Sequence, residues 1–209
     1  MRKIVSVSIG SSHRDKSVET EILGEKYLIQ RIGTNGDIKK AIEMIKELDG
    51  RVDAFGMGGI DIYLTACSNK KYIIREAIPI KTAARITPIV DGTGIKRTLE
   101  KRVIKHLKDQ GIVDMEKKRV LITCAADRYG MAEAFNNCGC EILMGDLIFA
   151  LGIPFTFKSL KAFQRFANLA IPVVSRLPFE MLYPIGEKQR QESNGKFSKY
   201  YKFADIIAG

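Results

Sequence analysis

The run Val120-Leu121-Ile122-Thr123-Cys124 constrains this chain more than any other stretch. It carries almost no polar alternation, as expected of a strand covered on both faces, and such strands belong to parallel sheets flanked by helices. A loop follows at Ala125-Ala126-Asp127. Residues 128–137 then carry a helical pattern that would bury Met131, Ala134, Phe135 and Cys138 before Gly139 stops it. Residues 141–144 read as the next strand, closing on Gly145-Asp146. Two parallel strands need a crossover rather than a hairpin, so this unit commits the second half to an α/β architecture.

The first half repeats the alternation of strand and helix. Residues 3–9 alternate and run into Gly10-Ser11-Ser12, and residues 19–23 and 26–32 predict a hairpin about Gly24-Glu25. Residues 37–48 place Ile38, Ala41, Ile42, Ile45 and Leu48 on one helical face, with Gly50 as the stop. A strand over 52–57 ends at Gly58-Gly59, and residues 60–67 and 72–80 lean to β structure around a turn at Ser68-Asn69. A short strand at 88–90 feeds Asp91-Gly92-Thr93-Gly94 and a helix over 95–110, with Ile95, Leu99, Val103 and Leu107 at steps of four. Residues 111–118 turn polar, which predicts a boundary there. The division is then an N-terminal α/β substrate-type domain over 1–115 and a Rossmann-like domain over 116–209. Later, 159–169 reads as a helix stacking Leu160, Phe163, Phe166 and Ala167, with Pro172 and Pro178 breaking the region beyond it. Residues 187–199 read as a polar surface loop and 203–208 as a strand. Gly209 comes directly after that strand, so the chain reads as cut short or as ending on an edge strand.

Charge and composition then narrow the function. The 34 Lys+Arg against 24 Asp+Glu leave a formal charge of +10, yet the cations form scattered pairs such as Lys70-Lys71, Lys96-Arg97 and Lys101-Arg102. No aromatic residues interleave with them as a base-stacking platform requires, which disfavours nucleic acid and favours a small acidic metabolite as partner. No apolar run is long enough to span a bilayer, and no signal-peptide core precedes the first strand. Cys67, Cys124, Cys138 and Cys140 lack zinc-ribbon spacing, and the two histidines, His13 and His106, are far apart. A soluble cytoplasmic protein without a metal site is expected, and a homo-oligomer is left open.

Four strand ends carry the polar chemistry. In the 119–146 unit, a dinucleotide would place its pyrophosphate at the loop of Ala125, Ala126, Arg128 and Gly130, and a ribose hydroxyl on Asp146, 22 residues beyond Cys124. Gly130 is the one glycine where the fingerprint has three, and Asp127 would repel phosphate unless Arg128 offsets it. A plain strand–helix–strand unit with Asp146 as a loop residue explains the same residues. Asp91-Gly92-Thr93-Gly94 with Lys96 and Arg97 combines glycines, a helix start and cations, the parts of an anion site or of an ordinary Thr93-capped turn. Gly58-Gly59 predicts a positive φ or a ligand pressed against the backbone. Asp61 beyond it would orient a hydroxyl, exchange a proton with Lys96 if the fold brings them together, or simply lie on the surface. Ser11, Ser12 and Arg14 suit a polyhydroxy acid, the serines for hydroxyls and Arg14 for the carboxylate.

The segments Val5-Ser6-Val7-Ser8-Ile9-Gly10-Ser11-Ser12, Val52 through Asp61, Pro88 through Gly94, and Ala125-Ala126-Asp127-Arg128-Tyr129-Gly130-Met131-Ala132 together resemble a family of bacterial proteins, mostly from Firmicutes, named quinate 5-dehydrogenase. The resemblance implies NAD(P)-linked oxidation of a cyclic polyhydroxy acid of the quinate/shikimate class. Asp146 would then favour NAD over NADP, and Asp61, Asp91 and Lys96 are the candidates for the acid–base and carboxylate roles. The alternative expectation is a non-catalytic α/β protein that binds a nucleotide or an acidic metabolite.

Overall fold

The structure, a computed structural model, describes residues 1–65, 70–179, 195 and 197–209. The turn expected at Ser68-Asn69, the stretch 187–194 and Cys67 lie outside the described residues. The architecture is α/β with mostly parallel sheet, as the sequence predicts, and it divides into two compact units.

The first unit comprises Met1–Tyr63, Ile73–Gly92 and residues 175–179 among those described. Its five-stranded sheet has the order β2-β3-β1-β4-β7, formed by Lys16–Ile22, Glu25–Gly33, Arg2–Ser8, Ala54–Gly58 and Ile89–Val90. All neighbours run parallel except the β2–β3 hairpin. That hairpin turns through Leu23 and Gly24, one residue before the expected Gly24-Glu25, because Glu25 already pairs with Ile22; their φ of 54° and 80° are the two positive values of a type I′ turn, whose twist matches the flanking strands. Helix α1 (Ile38–Leu48) starts where the Asp37 carboxylate accepts the Lys40 N–H at 2.9 Å, and it buries Ala41 and Ile45. Val5, Val7, Ile9, Phe55 and Ile62 complete the core. Because β3, β1, β4 and β7 run the same way, their carboxyl ends at Gly33, Ser8, Gly58 and Val90 share one edge, where open α/β sheets bind ligands.

One segment departs from expectation. Residues 72–80 are β-leaning by their isoleucines, but only Lys71–Ile73 forms strand β6, which pairs with β5 (Tyr63–Thr65). Helix α2 (Ala77–Ala83) comes next, with Ala77, Ile80 and Ala83 buried at helical steps of three. Pro79 sits in its first turn, where backbone N–H groups have no helical partner, so the proline costs nothing there.

The second unit holds Leu64–Tyr72, Thr93–Val174 and residues 197–209 among those described. The division therefore falls at Gly92/Thr93 and not at 115/116. The charged stretch at 111–118 is only a surface turn, and helix α3 (Thr93–Asp109) packs on α4 (Tyr129–Asn137) of its own unit. The sheet has the order β10-β8-β9, from Ile206–Ala208, Arg119–Ile122 and Glu141–Met144, all parallel. Asp146, expected in a loop, opens α5 (Asp146–Leu151). Helix α6 (Leu160–Val174) runs through Pro172 to Val174, because Ile171 keeps it on the core beside Phe163 and Ala167. Phe203, expected in the last strand, instead closes the short helix α7 (Ser198–Phe203). The stripe at steps of four on α3 is exposed at Ile95, Leu99 and Val103, while Thr93 and Ile104 face inward.

Strand β10 is tied down by one carboxylate. Asp205 accepts the Arg119 backbone N–H and Nε through Oδ2 at 2.9 and 3.0 Å, and Nη2 through Oδ1 at 2.9 Å. These bonds from Arg119 hold the Asp205 carboxyl well below the usual carboxylate range. The anchoring is therefore present above about pH 4 and is lost as the pH falls below it. We expect Asp205→Ala to speed amide hydrogen exchange across Ile206–Ala208 at neutral pH, leaving β9 protected; unchanged exchange in β10 would show that its backbone ladder suffices alone.

Candidate functional site

The carboxyl end of β1 gathers the polar residues of the first unit. Ser8, buried, accepts the Gly10 N–H at 3.1 Å and an Arg31 Nη2 proton at 2.9 Å on its hydroxyl oxygen. Arg31 also donates through Nη1 to the Ser11 carbonyl at 3.0 Å and to Asp15 Oδ1 at 2.9 Å. The Asp15 carboxylate accepts the Gly33 N–H at 2.6 Å. Gly10 is the meeting point: Nη2 of Arg14 and Nη2 of Arg31 lie 2.9 and 3.0 Å from where a Cβ on Gly10 would stand. Two guanidinium groups thus converge on one spot at the strand end, Arg14 exposed and Arg31 half-buried.

Ser11 and Ser12 shape this loop. The Ser11 hydroxyl accepts the His13 N–H at 3.2 Å, and Asn35 brackets Ser12, accepting its N–H at 2.7 Å and donating to its hydroxyl at 3.0 Å. Gly33 lets β3 approach: a Cβ there would come within 2.7 Å of the Ser11 carbonyl carbon and the Ser12 nitrogen. We therefore expect Gly33→Ala to cost about 2 kcal/mol through this overlap, read as a lower urea midpoint; a midpoint equal to wild type would show that the loop yields freely.

Gly59 has the positive φ that the sequence predicts, 82°, but the close approach at Gly58-Gly59 is to β1 itself. A Cβ on Gly58 would lie 2.9 Å from the Ser8 Cβ, and one on Gly59 3.2 Å from the Gly10 nitrogen. Asp61 is buried just beyond, and Asp91 accepts the Ile62 N–H at 2.8 Å, which brings these two carboxylates into one region of the first unit. Lys96 belongs to the second unit, where its Nζ meets Asp127 Oδ2 at 2.6 Å. The pairing of residues 31 apart in sequence carries no local signal, and neither does the convergence of Arg31 on Ser8. An arginine within the largely apolar strand Tyr27–Ile32 was the one clue to the latter.

In the second unit α3 and the β8–α4 loop are held by charge. Besides Lys96–Asp127, Arg128 pairs with Glu100 and Lys101 with Glu133. Arg128 is thus engaged by Glu100, and the cation that offsets Asp127 is Lys96. Gly130 lies under Lys101, whose Cε would be 2.6 Å from an added Cβ, so this glycine serves the α3–α4 packing. Asp146 reaches from the end of β9 into the β8–α4 loop, accepting the Ala125 N–H at 3.1 Å and the Ala126 N–H at 2.8 Å. Burial pushes its carboxyl up to about 6, against the pull of those two amide bonds. Burial of the thiol against the loop, with the charges of Asp146 and Asp127, likewise pushes Cys124 up to about 12 although the residue keeps exposed surface, so it is no activated nucleophile.

These facts test the loop as a dinucleotide cradle. The amides of Ala125 and Ala126, which would have to receive a pyrophosphate, already serve a carboxylate, and the Arg128 N–H donates to the Cys124 carbonyl at 3.1 Å. A side chain at the end of β9 within reach of the loop suits a ribose hydroxyl, but the donor set does not suit the pyrophosphate. Among the described residues no group of His, Cys, Asp and Glu could hold a metal ion, and no helix is long and apolar enough to cross a membrane.

Fold and strand-end chemistry define an α/β protein of two units whose polar clusters lie at the carboxyl ends of parallel strands. Residues 94–209 match the family described as Domain of unknown function (DUF8754), and the chain belongs to that family. Residues 3–91 match a second description, Domain of unknown function (DUF8753). The junction of the two matches coincides with the division of the structure at Gly92/Thr93. No curated protein matches the chain.

Proposed function

We propose that the chain binds a small hydroxylated acid, its carboxylate lying between Arg14 and Arg31 over Gly10 and its hydroxyls toward the Ser11–Ser12 loop. The observation that carries this reading is the convergence of the two guanidinium groups. Asp15 already balances Arg31, and an anion seated over Gly10 would add charge-assisted hydrogen bonds from the guanidinium groups that meet there. Quinate and shikimate are the ligands to try first, given the resemblance of the flanking segments. Calorimetric titration of the acids beside their uncharged methyl esters tests it. The acids should bind at least about tenfold more tightly, a difference of about 1.4 kcal/mol; equal affinities, or no binding of either, would overturn the proposal.

A second reading, NAD-linked oxidation of a substrate hydroxyl within the second unit, is favoured by the Lys96–Asp127 pair, a half-buried lysine held against a carboxylate. That pair would exchange the hydroxyl proton, and the Asp146 carboxylate disfavours the 2′-phosphate of NADP. The occupied amides at Ala125 and Ala126 count against it and favour the non-catalytic protein. The appearance of reduced-nicotinamide absorbance with NAD and either acid decides between the two.

A further inference from the structure

The five-stranded sheet of the first unit is fully covered on one face only. Along β1 and β4, Val5, Val7, Phe55 and Met57 are buried, while Ile4, Ser6, Ala54, Gly56 and Gly58, which point the other way, are half-buried. Sheets of parallel strands are normally covered on both faces. Register shapes the half-covered one. Paired residues point the same way, so Ser6 stands between Arg31 and Gly56, Gly56 beside Val90, and Ile4 between Ile29 and Ala54. Ser6, Gly58, Gly56 and Ala54 thus make a floor with almost no side chain. Arg31 on β3 walls it on one side and Val90 on β7, 59% accessible, on the other.

This trough starts at the two arginines. At its upper end the Ser8 hydroxyl takes the Arg31 Nη2 proton, and the Gly58 carbonyl accepts the Ile9 N–H at 3.1 Å, next to Gly10. From Gly58 to Ala54 it runs about 13 Å at about 3.3 Å per residue. At the lower end Ile4 and Ala54 line a cavity of about 460 Å³ with Ile22 and Tyr27, which register puts on the same face. Ser6, Gly56, Ala54, Ile4 and Ile29 carry no charge between Arg31 and the Arg2–Glu25 ion pair at the foot. A flat, uncharged floor of strand backbone suits a planar apolar group. We infer that the ligand is a hydroxy acid carrying an aryl-acyl ester, its carboxylate over Gly10 and its ring on Ser6 and Gly56. The inference rests on Arg14 and Arg31 as the carboxylate site and adds the class of ligand, since a bare acid would leave the trough to water.

Calorimetric titration of quinate beside its O-cinnamoyl ester, both with the carboxylate free, is the test. The ester should bind at least about tenfold more tightly, because one face of its ring leaves water. Gly56→Val raises the floor where the ring would lie. A Cβ there meets Ser6 alone, no closer than 3.4 Å, so valine fits the strand. In that variant the two ligands should bind within about twofold of each other. Ala54→Leu, lower in the trough, should narrow the gap independently of how valine is tolerated at 56. Binding of quinate with the ester no tighter would overturn this inference and leave the acid site standing. Failure of both ligands to bind would remove the acid site and the trough together. An advantage for the ester that survives both substitutions would place the ring elsewhere and sink the proposed arrangement.

Discussion

Replacing Arg31 by alanine is expected to weaken binding of the hydroxy acid by about 30- to 150-fold, the worth of a charge-assisted pair at about 2 to 3 kcal/mol. The same change should lower folding stability by a similar amount. Arg31 satisfies three acceptors at once, the Ser8 hydroxyl, the Ser11 carbonyl and Asp15, and its loss leaves a buried hydroxyl and a carboxylate short of a donor. Because both effects fall on one residue, Arg14 separates them. Its side chain is exposed, so Arg14→Ala should leave stability within about 0.5 kcal/mol of wild type and still cost at least about tenfold in affinity. Arg31→Lys keeps the charge but not the planar fork, and should fall between wild type and Arg31→Ala. Titration of the acid into each variant, beside urea unfolding, reads both quantities. Wild-type affinity in Arg14→Ala would show that the convergence over Gly10 serves the loop and not a ligand.

How much of this was legible in the sequence depended on the range of the interaction. Helix α1 is an amphipathic stripe with its own cap and stop, and the β2–β3 hairpin is set by a two-residue turn, so local chemistry specifies both. The parallel sheet of the second unit could be read from the unalternating run at 120–124, since only cover on both faces explains it. Where the sequence misled, tertiary packing overrode propensity. Isoleucines at 73, 74, 78 and 80 read as strand, yet α2 forms because Ala77, Ile80 and Ala83 give a helix one buried face. Of the site residues, Ser11, Ser12 and Arg14 lie in one loop and could be grouped on sight. Arg31 reaches that loop only through the parallel pairing of β1 with β3. The ion pair of Lys96 with Asp127 joins α3 to the β8–α4 loop across 31 residues, so no local pattern carries it. Spacing placed Asp146 near the β8–α4 loop, but its bonds to the Ala125 and Ala126 amides follow from the β8–β9 register and carry no local signal.

That carboxylate should make the protein more stable in mild acid than at neutrality. Burial holds the Asp146 carboxyl at about 6 in the folded chain, against about 3.9 when unfolded. Between those values the folded state binds a proton that the unfolded state has lost. The contribution is therefore fully present below about pH 4 and is lost as the pH rises through about 6, and ionisation of Asp146 costs up to about 3 kcal/mol at pH 7. Asp49 and Asp205 work the other way. The carboxylate of Asp49 accepts the Thr87, Arg85 and Ile86 amides and that of Asp205 the Arg119 donors, so both carboxyls are held low and cost stability only below about pH 4. Stability from urea unfolding should peak near pH 4 to 5 and decline toward neutrality. Asp146→Asn should flatten the decline, at the cost of one amide left without an acceptor, about 1 to 3 kcal/mol at the acid end. A flat profile between about pH 5 and 7.5 in the wild type, or a slope that survives in Asp146→Asn, would remove Asp146 as the cause. The same equilibrium bears on ligands. A phosphate at the β8–α4 loop would have to take the Ala125 and Ala126 amides from Asp146 and then lie beside its charge. Any phosphorylated ligand of this loop should therefore bind more tightly below about pH 6, where the carboxyl is neutral, whereas a hydroxyl donated to Asp146 should bind better above it.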